Sequence, residues 1–388
     1  MMNSKAPAAF QAHQVRKRLD QFSADLEASI NHATKFSQYR KTAVIAFHWE
    51  NDDIGVEPLE RDLLDVFKSV YGFETESFSI PLYDSQLKLL ERLVSWSRRN
   101  LGEDTLRIYI YSGHASSTGT VASHWYLGGR YNPITGSIVG PCLNWWDIRG
   151  NLEQITGDIC YLFDCCSAGS GALGAYNGAE FMAASVWDAA ATSNVHFSFT
   201  RILIDELRQL NGQAETLACI YARIFRYAQQ IQIGASPVHI PKQNSPSVTI
   251  GRNRSRPVTR SSERDSYRVL LSVKVRDEIP PDSTQWKEWL TRNIPADVIS
   301  AKVTVEGAFR GSSLLLFTVP VEVWTMMPVN DPSYTFIGHV NSPNVLSQKL
   351  TQTTTLPMRF PPLSGAENQP PRGPDRKSLG SPGRAPPP

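Results

Sequence analysis

The chain is poor in the features that mark several common classes of protein. It has five cysteines in 388 residues, an odd number, two of them adjacent and none at metal-ligand spacing. That disfavours a secreted disulfide framework and fits reduced thiols in a reducing compartment. Charge of one sign is also lacking. The net charge is only +2, which argues against nucleic acid or a membrane surface as the main partner. Long apolar runs are missing: the longest, near 314–321, is too short to span a bilayer and contains Pro320. The opening Met-Met-Asn-Ser-Lys lacks the apolar core of a secretory signal, so a soluble, cytoplasmic protein is expected. The first apolar run leads into Trp49-Glu50-Asn51-Asp52-Asp53 and not into a glycine-rich phosphate loop. That makes a nucleotide-binding enzyme a poor reading.

What is present is a core. Hydrophobic residues make up 41% of the chain, and the length suggests two domains. An amphipathic helix is expected over 10–36, where Val15, Leu19, Phe22, Leu26, Ile30 and Ala33 recur at steps of three and four. Strand and helix then alternate: strands over 42–47, 74–80 and 106–112, helices over 58–70 and 85–98. A polar and aromatic loop follows, then a helix over 146–155, a strand from 159, a strand over 179–187 and helices over 198–210 and 215–231. Residues 246–250 read as the last strand of the sheet. This alternation predicts an α/β fold, a mostly parallel sheet covered by helices on both faces.

Residues 251–266 differ in composition, with five arginines and almost no apolar residue, and read as a linker. Beyond it, strands over 267–275, 299–306, 314–324 and 334–340 with a short helix over 284–292 suggest a small α+β domain. The expected division is 1–40 N-terminal helix, 41–250 main domain, 251–266 linker, 267–361 small domain and 362–388 disordered tail.

The chemistry concentrates in Ile159 to Ala172, read I-C-Y-L-F-D-C-C-S-A-G-S-G-A. A buried strand runs into a small-residue turn and delivers Cys166 to the sheet edge. An earlier strand ends in Ser112-Gly113-His114, roughly fifty residues before Cys166. In open α/β sheets ligands gather outside the carboxyl ends of strands, and a thiol beside an imidazole can become a thiolate nucleophile. Strand alternation sends Cys165 to the core and puts Asp164 on the side of Cys166.

This pairing resembles the caspase and metacaspase superfamily over about 42–250. Y-S-G-H-A at Tyr111 to Ala115 is similar to the metacaspase Y-S-G-H-G, and D-C-C-S-A-G at Asp164 to Gly169 is similar to D-x-C-H-S-G. The Cys-Cys-x-Ala-Gly form resembles the caspase-like domains of filamentous-fungal proteins. The resemblance implies a caspase-like helix–sheet–helix sandwich and a cysteine endopeptidase with a Cys166–His114 dyad acting on protein or peptide substrates. It implies an oxyanion held by backbone N–H groups around Gly113, Ala115 and Cys166, and Asp164 in a pocket that prefers Arg or Lys. A second pocket acid would come from after the first strand, with Asp62, Asp53 and Asp52 as open alternatives. No cofactor is required; calcium is an implied activator, although no EF-hand-like loop is present. The 10–36 helix is expected to pack on the main domain, with a prodomain-like cover or partner-docking element as the sharper alternative; the C-terminal domain is a second place for protein partners, and 251–266 either a plain linker or a site for self-processing of a zymogen. Ala115 stands where metacaspases usually carry Gly, and Ser167 where they often carry His. Those departures favour the alternative, a weakly active or inactive caspase-like scaffold for signalling or cell-death interactions.

Overall fold

Strand β1, Lys41–Trp49, is buried along almost its whole length. A strand of that kind needs neighbours on both edges and cover on both faces. In a computed structural model of the chain, both are in place. The structure describes residues 16–118, 124–165, 178–184, 198–230, 236–252, 267–276, 303–309, 314–328 and 331–340, together with 342 and 344. By contacts, residues 1–343 form one unit and 344–388 a second.

The central sheet has six strands. Besides β1 they are β2 (Glu74–Ile80), β3 (Thr105–Ser112), β9 (Asp158–Asp164), β10 (Glu180–Ala183) and β12 (Val238–Ile240), in the order β12-β10-β9-β3-β1-β2. All neighbours are parallel except β10 and β12, which are antiparallel. The fold is therefore α/β with a mostly parallel sheet. The expected closing strand over 246–250 is corrected here: β13 (Thr249–Ile250) pairs with β11 (Glu215–Thr216) in a separate two-stranded ribbon, and β12 is the sheet edge. Proline at 237 and 241 confines β12 to three residues, as suits an edge.

Alternation divides the core into two layers. Val44, Ala46, Leu106, Ile108, Ile110, Leu162 and Met182 face one side. They meet helices α1 (Leu19–Thr34), α2 (Glu57–Ser69), α5 (Phe199–Leu210) and α6 (Leu217–Gln230), which contribute Leu26, Phe67, Leu203 and Ile220. On the other side Phe47, Tyr109, Tyr111, Tyr161 and Phe163 meet α3 (Ser85–Arg99) and α4 (Trp145–Leu152) through Leu93, Trp96, Ile148 and Leu152. Each helix shows the stripe spacing that this burial requires.

The described residues between His114 and Asn144, a stretch that reads from sequence as a loop, form a small antiparallel sheet. It comprises β4 (His114–Thr118), β5 (His124–Gly128) and β8 (Cys142–Asn144), with a hairpin, β6 (Tyr131–Asn132) and β7 (Ser137–Ile138), between β5 and β8. Trp125, Leu127 and Leu143 point from it into the core, where Trp145 at the start of α4 joins them. After 251–266, which falls mostly outside the described residues, β14 (Arg268–Lys274), β15 (Thr304–Phe309), β16 (Leu314–Pro320) and β17 (Tyr334–Val340) build a four-stranded antiparallel sheet. Val269, Leu271, Leu315 and Phe317 of this sheet join the core cluster that holds α1. Phe22 meets Phe317 edge-on at 5.0 Å, and Lys17 pairs with Asp25 and Asp331. The expected helix over 284–292 and the tail lie outside the described residues.

Candidate active site

Strands β3 and β9 end side by side. Ser112 is in register with Asp164, and the Gly113 N–H donates to the Asp164 carbonyl at 3.2 Å. Beneath these ends lies an aromatic bed. Phe163 meets Tyr111, Trp125, Trp145 and Phe181 with ring centroids 5.7, 5.6, 5.0 and 5.3 Å away. Burial on this scale fixes the strand ends. Gly113 adopts φ +150°, and a Cβ there would lie 2.7 Å from the Tyr111 hydroxyl. That hydroxyl donates to the carbonyls of His114 and Gly128 at 2.8 and 3.2 Å. The turn that presents His114 is thus held by the preceding strand.

His114 opens β4, and its imidazole meets the carboxylate of Asp53, Nε2 to Oδ1 at 2.6 Å. The His114 side chain is 15% exposed and that of Asp53 35%. Asp53 belongs to the loop after β1. Its own N–H donates to the Gly129 carbonyl at 3.2 Å, and its Oδ2 accepts from the Tyr131 N–H at 3.3 Å. The Tyr131 ring stacks on the imidazole, 5.5 Å between centroids and 20° between planes. Sequence spacing does not reveal Tyr131, which enters a hairpin whose turn is held by the Asn132 side chain accepting from the Ile134 N–H at 2.9 Å.

The other proposed residues are placed as follows. Cys166 lies outside the described residues, which stop at Cys165, one residue past the end of β9. Cys165 is buried in the core, as alternation requires. Ala115 is buried in β4 opposite Leu127, and its backbone is not among the positive-φ residues, so an alanine here strains nothing. The Gly113 N–H is taken by Asp164, so in this conformation it is not free for an oxyanion.

Asp164 caps α5: its Oδ2 accepts from the Thr200 N–H at 2.9 Å. A carboxylate at a helix N-terminus is well placed electrostatically. Burial raises its pKa above the ordinary carboxylate value, opposed by hydrogen bonds from Thr200 and Ser198. Asp62, on α2, faces Arg201 of α5 at 3.8 Å rather than His114. Asp52 accepts from the Gly55 and Val56 N–H groups at 2.6 and 2.9 Å and so closes the turn that leads into α2. Of the three alternative acids after the first strand, it is Asp53 that reaches the imidazole.

Calcium does not fit this loop. Glu50 accepts from the Leu82 N–H at 3.0 Å, Asp52 closes the turn before α2 and Asp53 holds His114, so the acids diverge. Among the described residues no group of three or more His, Cys, Asp or Glu is placed to hold a metal ion. No described helix is long and apolar enough to cross a membrane.

No family model matches the chain, and no curated protein matches it in sequence. Solved structures similar to it include caspase-1 from Spodoptera frugiperda, at 14% identity and TM-score 0.38, covering 57% of this chain and 94% of that one. The Drosophila initiator caspase Dronc gives 12% identity and TM-score 0.37, covering 55% of this chain and 83% of that one. Protein GSU0716 from Geobacter sulfurreducens gives 11% and 0.41, covering 56% and 100%. Likenesses at these scores carry no weight for activity or residue roles, which rest on the site itself.

Proposed function

We propose that this protein is a cysteine endopeptidase of the caspase-like kind, with Cys166 as nucleophile and His114 as its base. The observation that carries the reading is the His114–Asp53 contact at the carboxyl end of β3, beside the end of β9, from which the chain runs into D-C-C-S-A-G. A base held by an orienting carboxylate is half of a nucleophilic site, and the sequence supplies a cysteine two residues beyond the neighbouring strand. A basic residue before the scissile bond is the preferred specificity. It is supported by the resemblance, which implies an acidic pocket suited to a guanidinium partner.

The reading is tested with fluorogenic peptides ending in Arg, Lys or Asp, with and without calcium, and with Cys166→Ala as blank. Cleavage of the basic peptides that vanishes in the variant supports both parts. Cleavage of the Asp peptide alone keeps the nucleophile and discards the specificity. No cleavage, with a Cys166 thiol that resists alkylation, replaces the enzyme with the scaffold alternative.

A further inference from the structure

The geometry points to Asp53 as the positioning carboxylate of His114, and through it to Nδ1, not Nε2, as the ring nitrogen that takes the thiol proton. For its part in turnover this rests on the peptidase reading; the hydrogen bond itself does not. A carboxylate is an acceptor, so the proton in the 2.6 Å contact sits on Nε2. A neutral imidazole carries one N–H, so its lone pair is on Nδ1. The acid is in turn held from two sides: Oδ2 by the Tyr131 N–H, and its own backbone N–H by the Gly129 carbonyl. The Tyr131 ring lies flat on the imidazole and removes its remaining freedom to rotate. Three elements far apart in sequence, the loop after β1, the start of β4 and the β6 hairpin, thus fix one ring.

In the cycle, the Cys166 proton moves to His114 Nδ1 and leaves the electron pair on sulfur as thiolate. The thiolate attacks the peptide carbonyl carbon, the C–N bond breaks, and the imidazolium returns its proton to the leaving amine. Water then attacks the thioester, Nδ1 takes its proton, and the thiol is restored. Asp53 accepts no proton; it keeps Nε2–H directed and stabilises the imidazolium, as a buried acid does in hydrolytic triads.

The test uses the full chain labelled with ¹⁵N. His114 is assigned by comparison with His114→Gln, and its ring N–H is correlated to its nitrogen where the ring is neutral. A slowly exchanging, downfield proton on Nε2 is expected, and it should be lost in Asp53→Ala. In parallel, kcat on the best-cleaved peptide should fall on the order of 100-fold or more in Asp53→Asn, with KM changed by less than about threefold. A wild-type proton on Nδ1, an Nε2 proton that survives in Asp53→Ala, or a kcat unchanged in Asp53→Asn overturns the assignment. Should the wild type cleave nothing, the proton measurement still decides the role of Asp53, and the failure belongs to the peptidase reading.

Discussion

Replacing Gly113 by alanine tests the architecture that presents His114. The backbone there has φ +150°, where a non-glycine residue costs about 1–3 kcal/mol. The new Cβ would sit 2.7 Å from the Tyr111 hydroxyl and 3.1 Å from its ring carbon Cζ, and that ring is fully buried. The hydroxyl must move off the His114 and Gly128 carbonyls, and a buried hydroxyl left unpaired costs about 1–3 kcal/mol. The total is about 2–6 kcal/mol, a large part of the ~5–15 kcal/mol by which domains are stable. Tyr111→Phe alone removes the one O–H proton that those two carbonyls share, at about 1–2 kcal/mol. In the double variant the clash with the oxygen is gone, so its cost should fall short of the sum by about 1–2 kcal/mol. Urea denaturation of the four proteins measures this cycle. A Gly113→Ala cost below about 0.5 kcal/mol, or strict additivity, would refute the reasoning.

Other consequences follow from the polar groups buried away from the site. Glu180 is fully buried and accepts from His239 Nε2 and Ser247 Oγ at 2.5 Å each and from the Val248 N–H at 2.6 Å. Glu180→Ala should cost about 3–5 kcal/mol by orphaning those donors; a melting temperature within about 2 °C of wild type would contradict this. A hydrogen bond to buried Glu60, at 3.0 Å, holds the His48 pKa above the ordinary imidazole value, against burial, which lowers it. A raised histidine pKa gives stability that is present below the unfolded value, about 6.5, and is lost as pH rises through the folded one. Stability should therefore decline above that pH in the wild type and decline less in Glu60→Gln; parallel profiles would remove His48 from the account. Burial, then Glu180, pushes the Cys160 thiol far up, and Cys165 and Cys219 are buried too. Peptide-level mass spectrometry after brief alkylation at neutral pH should leave all three unmodified, and modification of Cys160 at the rate of exposed Cys142 would show that the β9 core opens.

Much of the fold is legible in the sequence because the periods are strong. The continuous apolar runs of β1, β3 and β9 and the striped helices α2, α3, α5 and α6 were read within a few residues of their ends. Strand β12 was missed because Val238-His239-Ile240 is too short to show a period; a buried contact to Glu180, 59 residues away, holds it there. The β4–β5–β8 sheet reads from sequence as a loop, although Trp125 and Leu127 alternate as strand positions do. Its signal was hidden by polar partners and a proline in the hairpin. At the site, His114 was legible from its strand and motif. The Asp53 contact was not, because a side chain 61 residues away in a loop leaves no spacing to read. Asp164 was placed by alternation on the side of Cys166, but its use as a helix cap depends on where α5 begins, which is a tertiary fact.

The central claim is that Cys166 is an activated nucleophile. The direct measurement is intact-protein mass spectrometry after exposure to a peptidyl chloromethyl ketone ending in Arg, which forms a thioether with release of HCl. The account predicts a single adduct mapped to Cys166, absent in Cys166→Ala and strongly slowed in His114→Ala. No adduct, or one that maps to Cys142 and persists without His114, would contradict it.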